Sequence, residues 1–343
     1  MIHKISSTTI FSLAIFFALP ALAAPSILSV NGNVSDENQI EISGSGFKMK
    51  NPATPLSFKN YEDGQMNGNG FTVWFTDNFE VATSGNKTNS LYYGRAFYNG
   101  TVGERVWNRY IFPADYTTIF TSFWFKIDEN QQSGKFYRLY FGEGTSNNIY
   151  LSTGCDNTLI RGASECNGST NWGSGGNIPS QTWTRIEVLA DTSKFIVWRD
   201  GIEVFTRYDW TNGGSCAWNT NGHALDLPNM IDEPGPARCS TNPTYEGEYS
   251  YDDIYVDNTL ARVEMGNAPS FLACTKREIQ IPSSWSQDLI TFQVNQGSFG
   301  SGEQAYLFVV DENGDASEGY PITFGEGSGD AIPPLSPTGL SIS

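Results

Sequence analysis

Hydrophobic and polar positions alternate with a period of two along much of the chain, most regularly over residues 182–207, TWTRIEVLADTSKFIVWRDGIEVFTR. Ile186 and Val188, then Ile196 and Trp198, alternate with Arg185, Glu187 and Val197. Successive side chains of a strand point to opposite faces, so this is the pattern of half-buried strands. ADTSK joins the first two runs, and Asp200-Gly201 permits a tight turn before IEVF resumes the alternation, which predicts three antiparallel strands in succession. Further strands are predicted at residues 27–30, 39–43, 117–127, 135–141, 148–152 and 250–256, with turn-rich loops at 153–181 and 211–246. Helical periodicity is nearly absent, so the expected fold class is all-β, built from packed sheets.

Some of these runs carry a family likeness. Trp183 opening a strand, followed by VWRDG (residues 197–201), resembles the back-sheet hairpins of the concanavalin A-like lectin/glucanase jelly roll. YEDG (61–64) and YDDIYVDN (251–258) are similar to the adjacent first and last strands of such domains. The resemblance implies a jelly-roll sandwich over residues 57–259. IEISGSGF (40–47), WSQDLITFQV (285–294) and YLFVVDENG (306–314) resemble the opening and closing strands of IPT/TIG domains, which are small immunoglobulin-like sandwiches. That likeness implies one Ig-like domain, residues 24–56 and 260–325, split by the jelly roll. A rival reading makes the first piece an extra strand on the jelly roll.

Composition narrows the partners. Aromatics at 14% and charged residues at 17% describe a β-rich globular chain of 343 residues rather than a disordered one. A net charge of -17 excludes nucleic acid and anionic lipid surfaces as partners. It also opposes a polyanionic polysaccharide, unless a local basic patch overrides the global field. Lys4, the apolar run 10–19 and Ala21-Leu22-Ala23 read as a secretory signal over residues 1–23, too short for a membrane span. An extracellular, cell-surface or periplasmic location follows, and residues 326–343 read as a flexible Gly/Pro/Ser tail. In an oxidising exterior the sequence neighbours Cys155–Cys166 and Cys216–Cys239 are the expected disulfides, with Cys274 left over. Five cysteines leave other connectivities open.

Candidate chemistry is sparse. Jelly-roll hydrolases of the laminarinase type carry E-x-D-x-x-E on one strand, and no E-x-D occurs in the chain. Lyases on the same fold need Arg, Gln or Asn to neutralise a uronate carboxylate and Tyr or His as base. Arg138 and Tyr140 stand at i and i+2 on one strand face, and His223 is the sole histidine after the signal. His223 reads either as a solvated loop side chain or as a proton-transfer group.

For glycan binding, Trp124 and Lys126 share a strand face and are expected to line the concave sheet with Arg138, Tyr140 and Glu187. Trp172 and Trp218, in turn-rich loops, are exposed-aromatic candidates, with core packing as the other reading. Carboxylates of Glu62, Asp63, Asp252 and Asp253 converge on a structural calcium ion if first and last strands pair; solvated acids are the plainer reading. The expected function is noncatalytic glycan binding or adhesion without a required cofactor. The alternatives are a polysaccharide lyase acting on uronate-containing glycans and a structural component of an extracellular assembly, partnered through the Ig-like part.

Overall fold

The computed structural model describes residues 24–74, 76–97, 105–128, 134–142, 147–153, 159–166, 169–208, 217–229 and 247–325, excepting the side chains of 159 and 169–172. The expected signal, the tail, and Cys155, Cys216 and Cys239 lie outside them. Apart from the short 3₁₀ turns Thr76–Asn78 and Phe271–Ala273, every regular element described is a strand, so the fold class is all-β.

The larger sandwich has two antiparallel sheets. One orders its strands Ser169–Asn177, Leu159–Cys166, Asn148–Thr153, Lys135–Tyr140, Ala224–Asp226, Trp107–Ile111 and Phe71–Trp74. The other runs Ile202–Tyr208, Lys194–Arg199, Thr184–Asp191, Thr118–Ile127, Glu248–Asp257, Tyr93–Phe97 and Phe79–Ala82, with Ser57–Lys59 paired to Glu248–Asp257. We call these the groove sheet and the back sheet. Alternate residues of both sheets meet between them. Phe123 of the back sheet stacks on Tyr137 with centroids 6.1 Å apart, and Phe125 stacks on Phe136 at 4.7 Å. Buried aromatics of this size dominate the apolar area removed from water.

The opening hairpins form as the alternation predicts, with Asp200 and Gly201 both at positive φ in the turn. Residues 153–181 do not stay a loop, because they contain the paired strands Leu159–Cys166 and Ser169–Asn177. Most of their described glycines serve packing, although Gly176 also takes a positive φ. A Cβ on Gly175 would lie 2.1 Å from the Val204 carbonyl oxygen, and one on Gly162 2.2 Å from the Phe205 ring. The edges of the two sheets approach closely there only because side chains are missing.

Strands from the two ends of the described chain make a smaller sandwich. Ser26–Asn31, Gln39–Ser45, Leu289–Gln293 and Ile281–Trp285 form one sheet; Arg277–Ile279, Arg262–Gly266, Gln304–Val310 and Tyr320–Thr323 form the other. A single core joins them, with Ile40, Ile42 and Phe47 packed among Val263, Ile290, Phe292 and Val309. This sandwich covers part of the back sheet's outer face, where Phe120, Leu189 and Tyr255 pack on Ile279. The outer face of the groove sheet lies on the opposite side of the larger sandwich from this contact.

Candidate functional site: the outer face of the groove sheet

Lys135–Tyr140 turns Tyr137 and Leu139 into the core and Arg138 and Tyr140 outward. In Trp107–Ile111, Asn108 and Tyr110 point inward while Trp107, Arg109 and Ile111 point out. Ala224–Asp226 lies between these strands, with Leu225 in the core. The register sets Arg109 against Asp226 and Asp226 against Arg138, so a positive, a negative and a positive side chain stand in a row across three strands. Successive members are ~4.8 Å apart, the spacing of neighbouring strands.

Arg109 donates from Nε and Nη2 to Oδ1 and Oδ2 of Asp226 at 2.6 and 2.7 Å. Such a two-pronged pair fixes the plane of the guanidinium. Burial pushes the Asp226 carboxyl up, opposed by Arg109 and Asn229, and the paired geometry is that of a carboxylate. Held in this plane, the Arg109 guanidinium sits 4.3 Å from the Trp107 ring centroid and 5.0 Å from that of Trp74. The two indoles lie 5.8 Å apart. Trp74, beside Trp107, is 46% exposed and presents apolar surface to solvent at this edge of the groove; Ile111, equally exposed, stands beside Ala224.

The other end is polar. Asn229, buried, donates from Nδ2 to Asp226 Oδ2 at 2.8 Å and to the Tyr140 hydroxyl at 3.0 Å. Its Oδ1 accepts from Arg138 Nη1 at 3.0 Å, and Arg138 Nε donates to Asn148 at 2.9 Å. Burial raises the Tyr140 phenol above its ordinary value, with Arg138 opposing, so the hydroxyl keeps its proton at neutral pH. His223, next to Ala224 and Ile111, also lines this groove of about 610 Å³.

Three sequence candidates, Arg138, Tyr140 and His223, therefore meet in one groove. Trp124, Lys126 and Glu187 do not join them, because their strands belong to the back sheet. Trp124 donates from Nε1 to Glu278 of the smaller sandwich at 3.0 Å. Lys126 donates to the Gly85 carbonyl at 2.6 Å, its ammonium over the rings of Tyr93 and Trp183. Glu187 is buried, accepting from Arg185 at 3.1 Å and Arg277 at 3.2 Å. Trp218 is a packing residue: its ring stacks on Phe141 and its Nε1 donates to the Tyr116 carbonyl at 2.5 Å. Trp172 pairs in register with Ala163 on the strand Ser169–Asn177; its side chain lies outside the description.

Three of the four expected calcium ligands have other side-chain or backbone partners, and Asp252 accepts from the Asp253 amide at 2.9 Å. Glu62 accepts from the Ser90 hydroxyl at 2.6 Å and from the Leu91 amide, and Asp63 pairs with Lys59 at 2.9 Å. Asp253 pairs with Lys87 at 2.7 Å. Burial, then the neighbouring Asp253, pushes Asp252 well above the carboxylate range. Among the described residues no group of three or more His, Cys, Asp or Glu side chains is arranged to hold a metal ion. Cys274 is a free, buried thiol.

Sequence reasoning missed Trp74, Trp107, Arg109, Asp226 and Asn229. The alternation of Trp107, Arg109 and Ile111 in WNRYI was the available signal. Asp226 and Asn229 lay in a stretch whose turn-formers hid a three-residue strand.

The fold and groove together define an all-β sandwich protein with an arginine-propped aromatic groove on one sheet. No family model matches the chain, and no curated protein sequence does. Among solved structures it is similar to an endo-beta-1,4-glucuronan lyase from the fungus Trichoderma reesei, at 14% identity and TM-score 0.42, over 61% of this chain and 97% of that one. It is also similar to the cellulose induced protein Cip1, at 9% identity and TM-score 0.44, over 59% and 97%. A third is a botulinum neurotoxin serotype C1 binding domain, at 11% identity and TM-score 0.43, over 77% and 72%. Overlaps of this depth assign neither activity nor ligand.

Proposed function

We propose that the chain is a secreted or cell-surface glycan-binding protein without catalytic activity, holding a sugar in the groove between Trp74 and His223. The observation that carries this reading is the Trp74–Trp107 pair propped by Arg109, half-open to solvent beside a preset polar cluster. Aromatic faces pack on the apolar faces of pyranose rings, and a few convergent polar groups fix orientation. In the same proposal the larger sandwich is the concanavalin A-like unit and the smaller one the split IPT/TIG-like unit. Secretion agrees with Cys166 being disulfide-bonded, its partner in this proposal being Cys155.

Binding of the full chain to an array of glycans tests the reading. Loss of binding by at least about tenfold in Trp107→Ala and Trp74→Ala supports it, since losing an aromatic anchor of this kind costs at least ~1.4 kcal/mol. No binding to any glycan sinks it.

A second reading, a polysaccharide lyase, is favoured by one arrangement: Arg138, a protonated Tyr140 and His223 in one groove. His223 would take the proton beside a uronate carboxylate held by Arg138. The electron pair left behind forms the ring double bond as the glycosidic C–O bond breaks, and Tyr140 protonates the leaving oxygen. Ultraviolet absorbance from unsaturated uronates, lost in Tyr140→Phe, is the expected signature; none from any uronate polymer excludes it.

A further inference from the structure

On the premise that the groove binds a glycan at all, its side chains offer that glycan more hydrogen-bond donors than acceptors. Each side-chain oxygen of Asp226, Asn229 and Tyr140 already accepts a hydrogen bond, which leaves the His223 ring as the groove's open side-chain acceptor. Asp226 Oδ1 accepts from Arg109, its Oδ2 from Arg109 and Asn229, Asn229 Oδ1 from Arg138, and the Tyr140 oxygen from Asn229. The donors are not used up. A guanidinium has five N–H groups. Among the described residues Arg109 Nη1 has no acceptor, and Arg138 Nη2 has only the Glu165 carboxylate at 3.6 Å, beyond hydrogen-bond length. The Tyr140 hydroxyl, having accepted from Asn229, still holds a proton to give. At the rim the exposed Arg105 lies over the face of Trp107, 5.9 Å from its centroid. None of the described residues lining the groove is acidic.

A neutral sugar hydroxyl both gives and takes hydrogen bonds, and it would leave this donor surplus unmatched. We infer that the groove recognises an acidic group of a glycan, a carboxylate or a sulfate ester, with Arg138, Arg109 and Tyr140 as its donors and Arg105 at the rim. This is the local basic patch that the chain's net charge of -17 had made a condition for any acidic ligand. The global charge still acts on what lies outside the groove. Beyond a Debye length of ~8 Å at physiological ionic strength it is screened, so an isolated acid is accepted where a dense polyanion meets repulsion along its length.

The test is a calorimetric titration of the full chain with three probes. These are a uronate-containing oligosaccharide, the same oligosaccharide after chemical reduction of its carboxyl groups to alcohols, and a sulfated oligosaccharide without carboxylates. Reduction is expected to weaken binding at least about tenfold, since hydrogen bonds to a charged group contribute ~1.5–3 kcal/mol. Retained binding of the sulfated probe assigns recognition to anionic oxygen in general; its loss assigns it to the planar carboxylate. In Arg105→Gln and Tyr140→Phe the affinity ratio of acidic to reduced probe falls toward one. Equal binding of acidic and reduced probes overturns the inference and leaves glycan binding standing, whereas binding of no glycan overturns both.

Discussion

Arg185, on the outer face of the back sheet, and Arg138, on the outer face of the groove sheet, come from the same kind of strand position and end in opposite circumstances. Arg185 donates to Ser122 at 2.9 Å, to Glu187 at 3.1 Å and to Glu264 of the smaller sandwich at 2.9 Å. Arg262 and Arg277 bring further cations to the same two glutamates, and the cluster is closed from solvent. Arg138 has two amides for hydrogen-bond partners and a looser ion pair with Glu165 at 3.6 Å, and its face opens on a groove. Matched guanidinium and carboxylate groups hold two sandwiches in one orientation, while unmatched donors wait for a ligand. The smaller sandwich thus acts as a fixed brace, held by ion pairs that tolerate little misalignment.

The largest effect should come from breaking the matched side. Glu264→Gln leaves Arg185, Arg262 and Arg277 with one carboxylate fewer in a buried cluster, and removing one partner of such a set costs about 3 kcal/mol or more. Urea unfolding is the measurement; a change below ~1 kcal/mol would mean that these pairs do not brace the molecule. On the open side, Arg109→Gln removes the prop under Trp107 and Trp74 and uncovers Asp226. About 2 kcal/mol of stability is expected to go, from the lost charged hydrogen bonds. Glycan affinity should fall more than tenfold in the protein that remains folded. If affinity survives, the aromatic platform stands without its arginine.

Acid separates the two faces further. Burial raises Glu264, but Arg185, Arg262 and Arg277 outweigh it and hold the carboxyl far below its ordinary value. With the folded value depressed, its contribution is fully present above the unfolded value of ~4.3 and is lost as pH falls toward the folded one. Asp226 has the opposite sign: its raised carboxyl favours the folded state only at low pH, and that contribution goes as pH rises through its folded value. Stability measured against pH below ~4.3 should therefore decline steeply in the native chain and less steeply in Glu264→Gln. Equal slopes would show that the cluster does not tune Glu264.

How much of this was legible beforehand depends on what alternation encodes. It reports which side of a strand is buried, and it placed Arg138 and Tyr140 outward and Tyr137 and Leu139 inward. It also located the hairpin at Asp200-Gly201. It carries no information about which of two sheets a strand joins, because that is decided by hydrogen-bonded partners distant in sequence. Trp124 and Glu187 were grouped with Arg138 for that reason, though Thr118–Ile127 and Thr184–Asp191 pair with each other in the other sheet. An outward face can also be covered by another part of the chain, as the polar face of Thr184–Asp191 is. Gly-rich Ser169–Asn177 was hidden for a different reason: its strand character comes from the space Val204 and Phe205 require, which the local composition does not reveal.

The smallest expected effect tests that misgrouping directly. Trp124→Phe keeps an aromatic ring beside Lys87, whose ammonium lies 5.3 Å from the Trp124 ring centroid, and deletes the Nε1–H donated to Glu278. Glu278 retains the Ser298 amide on Oε1 at 2.7 Å and Lys87 at 3.6 Å from Oε2, so its charge stays compensated. About 1 kcal/mol of stability is expected to be lost, the contribution of one hydrogen bond. Glycan affinity should not change, because Trp124 faces the smaller sandwich from the sheet opposite the groove. A weaker glycan complex in Trp124→Phe, with the fold intact by circular dichroism, would make the covered face a binding surface and remove the distinction between matched and unmatched arginines.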